Sequence, residues 1–307
     1  MGGYKVRGNA SNEFVKVFDR LRGACARWTI WTDFLHLSAY SISNAVDLVH
    51  REKREKDYMT IASRYTKQEM LGFSELFAIT ITALEENPNQ DFLGHIYMGL
   101  DLGNKNTGQF FTPFDVARMC AEVSTDVDEV ERRHFAAVHD CCIGGGAMLI
   151  GFASACRERG INYQRKVMFV GMDIDHNCCC MAYIQLSLLG CPGYVICDNS
   201  LTNPVRTGDE LFAPMDRETF ITPMYCAYDW EFRRRYHLMA RALGLNPTET
   251  CGESDPASGN IETYPDEENA PEPVATHETH EETYACVSEP ETNTSSSDEM
   301  IQLTFFD

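Results

Sequence analysis

The chain has 307 residues and a formal charge of −20, from 26 basic and 46 acidic side chains, and 44% of its residues are hydrophobic. That length suits one large domain or two small ones with extras. Residues 246–307 hold 16 acids and no Lys or Arg, which leaves 26 basic and 30 acidic groups, a net of −4, on residues 1–245. A strongly basic nucleic-acid coat protein is therefore excluded. No stretch approaches the ~18 consecutive apolar residues that a membrane-spanning helix needs.

In chain order, residues 11 to about 102 read as helical. Ser11–Ala26 opens on an N-cap residue and sets Phe14, Val17, Phe18 and Leu21 on one face. Trp28, Trp31, Phe34 and Leu35 continue at helical spacing, and Lys67–Glu86 reads as a helix that stops at Asn87-Pro88. The aromatic stripe is read as a helical-bundle core and not as a base-stacking surface.

After Gly103-Asn104-Lys105-Asn106 the pattern changes to short apolar runs alternating with helical segments. Strands are expected at Phe135–Val138, Lys166–Gly171, Tyr194–Cys197 and, more weakly, Thr219–Tyr225. Helices are expected at Ala147–Gly160, Asn177–Leu189 and Asp229–Leu243. Such alternation implies an α/β fold with a doubly wound parallel sheet, in which ligands sit beyond the carboxyl ends of the strands.

Three turns fall at those ends. Asp140-Cys141-Cys142-Ile143-Gly144-Gly145-Gly146 is glycine-rich and lets the backbone approach a ligand, while the lack of a following Lys-Ser/Thr argues against a nucleotide P-loop. Gly171-Met172-Asp173-Ile174-Asp175 offers an acid that can accept both ribose hydroxyls. Asp198-Asn199-Ser200-Leu201 offers an acid or amide for an adenine amino group. Each acid alone could be a helix N-cap. Three in strand order favour a nucleoside ligand.

Upstream stands Gly108-Gln109-Phe110-Phe111-Thr112-Pro113. Together with Asp140-x-Cys142-x-Gly-Gly-Gly146, Gly171-Met-Asp-Ile-Asp175, Gln185-Leu-Ser-Leu-Leu-Gly190 and Asn199-Ser-Leu201, in this order, the chain resembles the N6-adenine DNA methylases, most closely the modification subunits of type I restriction systems. The resemblance covers about Leu93–Tyr225, more loosely the helices before it. It implies a Rossmann-like doubly wound methyltransferase sheet, S-adenosyl-L-methionine as cofactor, and DNA as substrate, with adenine N6 methylated. Phe111 and Thr112 would contact the methionine end. Asp140, Gly144 and Gly146 would form the floor. Asp173 would hold the ribose, Ile174 would lie against the adenine ring, and Asp198 or Asn199 would reach the adenine amino group.

The family's catalytic Asn/Asp-Pro-Pro-Tyr/Phe is missing. Asn203-Pro204-Val205 lies too few residues beyond Asn199 to leave room for a strand, and it lacks the aromatic residue. Thr222-Pro223-Met224-Tyr225 is the better positional match. Thr222, the Pro223 carbonyl and Tyr225 would then face the cofactor's methyl side, with Tyr225 stacking on a flipped base. Thr in place of the amide or acid would weaken or abolish catalysis. Three readings follow: an active adenine methyltransferase, a cofactor-binding relative serving as an accessory DNA-transaction protein, or a methyltransferase acting on RNA or protein.

Basic clusters at Arg51-Lys53-Arg54-Lys56 and Arg233–Arg235 suit either phosphate contacts or solvated helix faces. No target-recognition domain is apparent, so a specificity subunit is the implied partner. Thirteen cysteines are many, but disulfide scaffolds are short and secreted. No secretory signal segment is expected, and Val6 stands where a myristoylation signal wants Ser or Thr. Cys178-Cys179-Cys180 is read as reduced, half-buried thiols of a cytoplasmic protein. No C-x2-C pair recurs at finger spacing, so no metal is expected.

The expected organisation is a helical domain at 1–105, a methyltransferase-like domain at 106–245, a disordered acidic linker at 246–300 and a terminal peptide at 301–307. Within that peptide, Gln302-Leu303-Thr304-Phe305-Phe306 resembles the bacterial sliding-clamp-binding motif. Gln302 would bond at the rim of the clamp's pocket, while Leu303, Phe305 and Phe306 would fill its apolar floor.

Overall fold

The computed structural model describes residues 7–23, 25–100, 111–124, 130, 135–205 and 210–244. The boundary near residue 105, the Gly108-Gln109-Phe110 segment, the acidic linker and the clamp-motif residues Gln302, Leu303, Phe305 and Phe306 lie outside them.

Five helices come first: α1 (Arg7–Arg20), α2 (Arg27–Val46), α3 (Arg51–Ala62), α4 (Lys67–Glu86) and α5 (Phe92–Gly99). The α4 bounds agree with the sequence reading. Thr66 accepts from the Glu69 N–H in a reciprocal capping box, and Asn87-Pro88 ends the helix. Ser11 is not an N-cap, because α1 already runs from Arg7. Helix α6 (Phe114–Ser124) follows Pro113, and then β1 (Ala136–Asp140), α7 (Ala147–Glu158), a single helical turn at Tyr163–Lys166, β2 (Val167–Asp173), α8 (His176–Leu188) and β3 (Gly193–Cys197). The described chain finishes with β4 (Thr219–Ile221), a 3₁₀ turn at Pro223–Cys226 and α9 (Tyr228–Ala242).

The sheet order is β1-β2-β3-β4. β1 pairs with β2 and β2 with β3 in parallel, whereas β4 runs antiparallel to β3, with Ile221 opposite Tyr194 and Thr219 opposite Ile196. The parallel part is as expected. Two expectations are corrected: the fourth strand is not parallel, and the strand order does not reverse among the described residues, so the second winding of a doubly wound sheet is not found there.

Side-chain alternation divides the core in two. Val167, Phe169, Val195 and Phe220 point to one face and join a single apolar cluster with α7, α8 and helices of the N-terminal region, including Phe14, Trp31, Phe34 and Phe77. Met168, Val170, Met172, Tyr194, Ile196 and Ile221 point to the other face, where Trp230 of α9 covers them. The helical region and the sheet thus share one continuous interior. No helix among the described residues is long and apolar enough to cross a membrane.

Each basic cluster is partly consumed by structure. Arg54 is buried, donates to Asp47 Oδ2 at 2.7 Å and to the Thr219 carbonyl at 2.8 Å, and lies 4.1 Å over the Phe220 ring. Lys53 pairs with Glu218. Arg233 is buried, Arg234 stacks 3.9 Å from the Tyr225 ring, and Arg235 pairs with Glu231. The described cysteines are free thiols, and Cys178, Cys179 and Cys180 are fully buried, not half-buried.

Candidate functional site

The carboxyl ends of the three parallel strands gather the expected acids. Asp140 closes β1, Asp173 closes β2, and Asp198 follows β3, its N–H donating to the Asp173 carbonyl at 2.9 Å. Between β1 and α7 the chain makes the glycine turn. Gly144 (φ +53°) and Gly146 (φ +96°) hold left-handed conformations that side-chain-bearing residues disfavour. A Cβ on Gly144 would lie 3.1 Å from the Phe111 ring, and one on Gly145 would lie 3.1 Å from the Asp91 carboxylate. The turn is therefore clasped between an aromatic ring and a buried acid.

Asp173 is the hinge of the crevice. Oδ2 accepts the Gly144 N–H and Oδ1 accepts the Asp175 N–H, each at 3.0 Å. A carboxylate offers about four lone-pair sites, so two bonds fix its direction and leave acceptor capacity for a pair of hydroxyls. Beside it Ile174 is 75% exposed and Leu201 is 91% exposed. Ile174 follows Asp173 directly, so an exposed aliphatic side chain adjoins the acid, while Leu201 belongs to the turn after β3. Asp198 accepts from the Asn199 N–H, the Asn203 amide and Arg217, and these partners hold its carboxyl below the usual range. Asn199 turns its own Oδ1 back on the Leu201 and Thr202 N–H groups. Burial pushes the Asp140 carboxyl upward, with the Asp173 charge adding to it, against an opposing bond from the Cys142 N–H.

On the far side of the turn, Gln90, Asp91, His95, Phe111, Thr112 and Phe114 are among the residues lining a cavity of about 390 Å³. Asp91 caps α5 through the Gly94 N–H at 2.9 Å and accepts the Gln185 amide at 2.7 Å. That amide also donates to the Gly145 carbonyl at 2.8 Å, so Gln185 ties the glycine turn to α5. The sequence reading missed Asp91 and Gln185 as contributors. The signals were present: an acid before the apolar run Phe92-Leu93, and an amide, Gln185, between the apolar Ile184 and Leu186.

The catalytic expectation is corrected. Because β4 is antiparallel, it delivers Thr222, Pro223 and Tyr225 to the amino end of the sheet. Thr222 is fully buried. Its Oγ1 accepts the Gly193 N–H at 3.1 Å, where β3 begins, and donates to the Cys191 carbonyl at 2.7 Å. With β3 rising about 3.3 Å per residue, this is roughly 13 Å from the acids. The Tyr225 hydroxyl donates to the Leu211 carbonyl and accepts the Ala213 N–H. Neither side chain faces the crevice. Asn203 does lie at the correct end, but it is bonded to Asp198 on the β3 side.

Residues 89–220 match the model of the family described as N-6 DNA Methylase. The match takes in fewer than half of the 307 residues. Among solved structures, the chain is similar to the type I restriction-modification system methyltransferase subunit from Streptococcus thermophilus, at 13% identity and a TM-score of 0.38. The alignment covers 65% of this chain and 60% of that subunit, so the chain spans less than two thirds of its length. No curated protein matches the chain. The matched segment takes in α5, α6, the glycine turn, all three parallel strands and the first two residues of β4.

Proposed function

We propose that the chain binds S-adenosyl-L-methionine at the carboxyl end of its parallel strands and serves adenine-N6 methylation of DNA, as a relative of the type I modification subunits. The observation that carries this reading is the Asp173–Gly144 bond. It aims a carboxylate with free acceptor capacity over a glycine turn, beside the exposed Ile174. Asp173 takes the ribose hydroxyls, Ile174 and Leu201 take the adenine faces, and Asp198 takes the amino group, since Asn199 spends its acceptor on local backbone. Phe111 and Thr112, with Asp140, Gly144 and Gly146 beneath, accommodate the methionine end. The cofactor supplies an activated methyl group when bound.

The placement of Thr222 and Tyr225 favours a second reading, in which the chain binds cofactor without completing transfer and acts as an accessory in DNA transactions. An adenine amino group is a poor nucleophile and needs acceptors held against it, and Thr222, which stands at the position of the family's Asn, is buried at the other end of the sheet. With so many basic groups paired internally, DNA contact would depend on a partner, whether a specificity subunit or a sliding clamp reached by Gln302, Leu303, Phe305 and Phe306. A clamp raises local concentration without new charge.

Calorimetric titration with S-adenosylmethionine, paired with transfer of labelled methyl groups to DNA, RNA and protein, tests these readings. Binding with turnover on DNA supports the first. Binding without turnover on any substrate supports the second. Turnover only on RNA or protein moves the chain to another substrate class, and no affinity at millimolar cofactor overturns the proposal. For the clamp, titration of the 15-residue C-terminal peptide against a bacterial sliding clamp should give micromolar binding that Phe305→Ala/Phe306→Ala abolishes. Binding indifferent to those rings would end that idea.

A further inference from the structure

Away from the crevice, three donor atoms converge where α2 crosses α8. His176 and Cys180 stand four residues apart on one face of α8, and His36 reaches them from α2. His176 Nδ1 lies 3.0 Å from His36 Nε2 and 3.5 Å from Cys180 Sγ, and all three atoms fall within 4.8 Å of one another.

These separations are close to those across a zinc ion. With Zn–N of about 2.05 Å and Zn–S of about 2.3 Å in tetrahedral geometry, two nitrogens lie roughly 3.3 Å apart, and a nitrogen and a sulfur roughly 3.6 Å apart. The His176–Cys180 N···S distance already agrees, and the His36–Cys180 separation, within 4.8 Å, closes as the side chains rotate. The N···N distance needs a few tenths of an ångström, within side-chain rotation. We propose that His36, His176 and Cys180 form a zinc site with three protein ligands, the fourth position being left to water.

The surroundings fit. Cys180 is buried and the two imidazole rings are half-buried, so the three donor atoms face one another at the crossing of the helices. The Asn177 amide, itself held to Thr32, lies in hydrogen-bonding reach of His36 and can orient the ring. The cations that act on the two rings are each paired with a carboxylate: Arg64 with Asp33, Lys53 with Glu218, and Arg54 with Asp47 and Glu218. On binding, Zn²⁺ takes the thiolate pair of Cys180, and the thiol proton leaves to solvent.

The position suggests what the ion does. His176 opens α8 directly after Asp173-Ile174-Asp175. A metal there pins the start of α8 to α2 and so braces the turn that carries Asp173. The site rests on its own three side chains and is independent of the cofactor reading.

The test is metal content of the purified full-length chain after zinc loading and exhaustive dialysis. About one zinc per chain is expected for wild type, with most of it lost in His36→Gln and in Cys180→Ser. Cobalt loading should give a thiolate-to-cobalt charge-transfer band that Cys180→Ser removes. His36 is partly exposed, so His36→Gln decides the matter if Cys180→Ser does not fold, as judged by circular dichroism. Failure of wild type to retain zinc, or unchanged retention in folded His36→Gln, overturns the proposal. The first result would leave His36, His176 and Cys180 as a hydrogen-bonded chain, and the second would assign the metal to other cysteines.

Discussion

The two ends of the sheet both carry polar side chains and use them in opposite ways. At the carboxyl end, Asp140, Asp173 and Asp198 stand partly exposed around a turn, each with a backbone N–H fixing its direction and with acceptor capacity left over. At the amino end, Thr222 and Tyr225 are buried and use their hydroxyls fully on Gly193, Cys191, Leu211 and Ala213. The first arrangement leaves acceptors open at the crevice. The second is closed and holds β3, the 3₁₀ turn and the 211–215 loop together. What distinguishes them is strand direction, which local sequence does not encode.

The largest effect should come from the closed end. Thr222→Val removes the hydroxyl and leaves the Gly193 N–H and the Cys191 carbonyl without a partner, at about 1–3 kcal/mol each. Urea unfolding should show a loss of roughly 2–4 kcal/mol, while cofactor affinity, set at the other end, changes little. A collapse in affinity with stability intact would reverse the assignment of the two ends. Asp173→Asn should do the converse. Hydrogen bonds to a charged acceptor contribute about 1.5–3 kcal/mol, so affinity for S-adenosylmethionine should fall by roughly 10- to 100-fold, as read by calorimetry. An unchanged Kd would remove Asp173 from the site.

Tyr225→Phe is a finer probe. The ring keeps its contacts with Tyr194 and Arg234, and only the hydroxyl's two bonds disappear. A stability loss of about 1 kcal/mol is expected. Any methyl transfer should be unaffected. Reduced turnover in a chain of normal stability would restore to Tyr225 the base-stacking role that its sequence position suggested.

The parallel strands, α4, α8 and the three acid-bearing turns were legible because each is local: a period, a cap, or glycines between an apolar run and a helix. The pairing of β4 was not. Thr219–Ile221 reads as a short strand in either direction, and its direction is set by long-range partners, among them the buried Arg54 that grips the Thr219 carbonyl from α3. Arg54 looked like surface charge because its neighbours Arg51, Glu52 and Lys53 are exposed. Likewise, His36 joins His176 and Cys180 across 140 residues, a separation that no spacing rule spans.

The smallest effect separates two acids within the open end. Burial raises the Asp140 carboxyl, whereas the Asn199 N–H, the Asn203 amide and Arg217 lower that of Asp198. The signs follow by linkage. The folded state holds the Asp140 proton more tightly than the unfolded chain does. Its stabilising contribution is thus complete below the unfolded value, near pH 4, and is lost as pH rises through the raised folded value. Asp198 contributes in the opposite sense, fully above its unfolded value and progressively less as pH falls through its lowered one. Asparagine at either position removes the titration. Relative to wild type, Asp140→Asn should therefore gain stability between about pH 4 and neutrality, while Asp198→Asn should lose stability over the range in which the wild-type acid ionises. Urea unfolding of the three proteins across that range measures both slopes. Two slopes of the same sign would mean that the strand-end acids share one environment. Opposite slopes would show that the β1 end is a desolvated floor and the β3 end a solvated, bonded rim, the asymmetry expected of a crevice that takes a ligand's methionine end on one side and its adenine on the other.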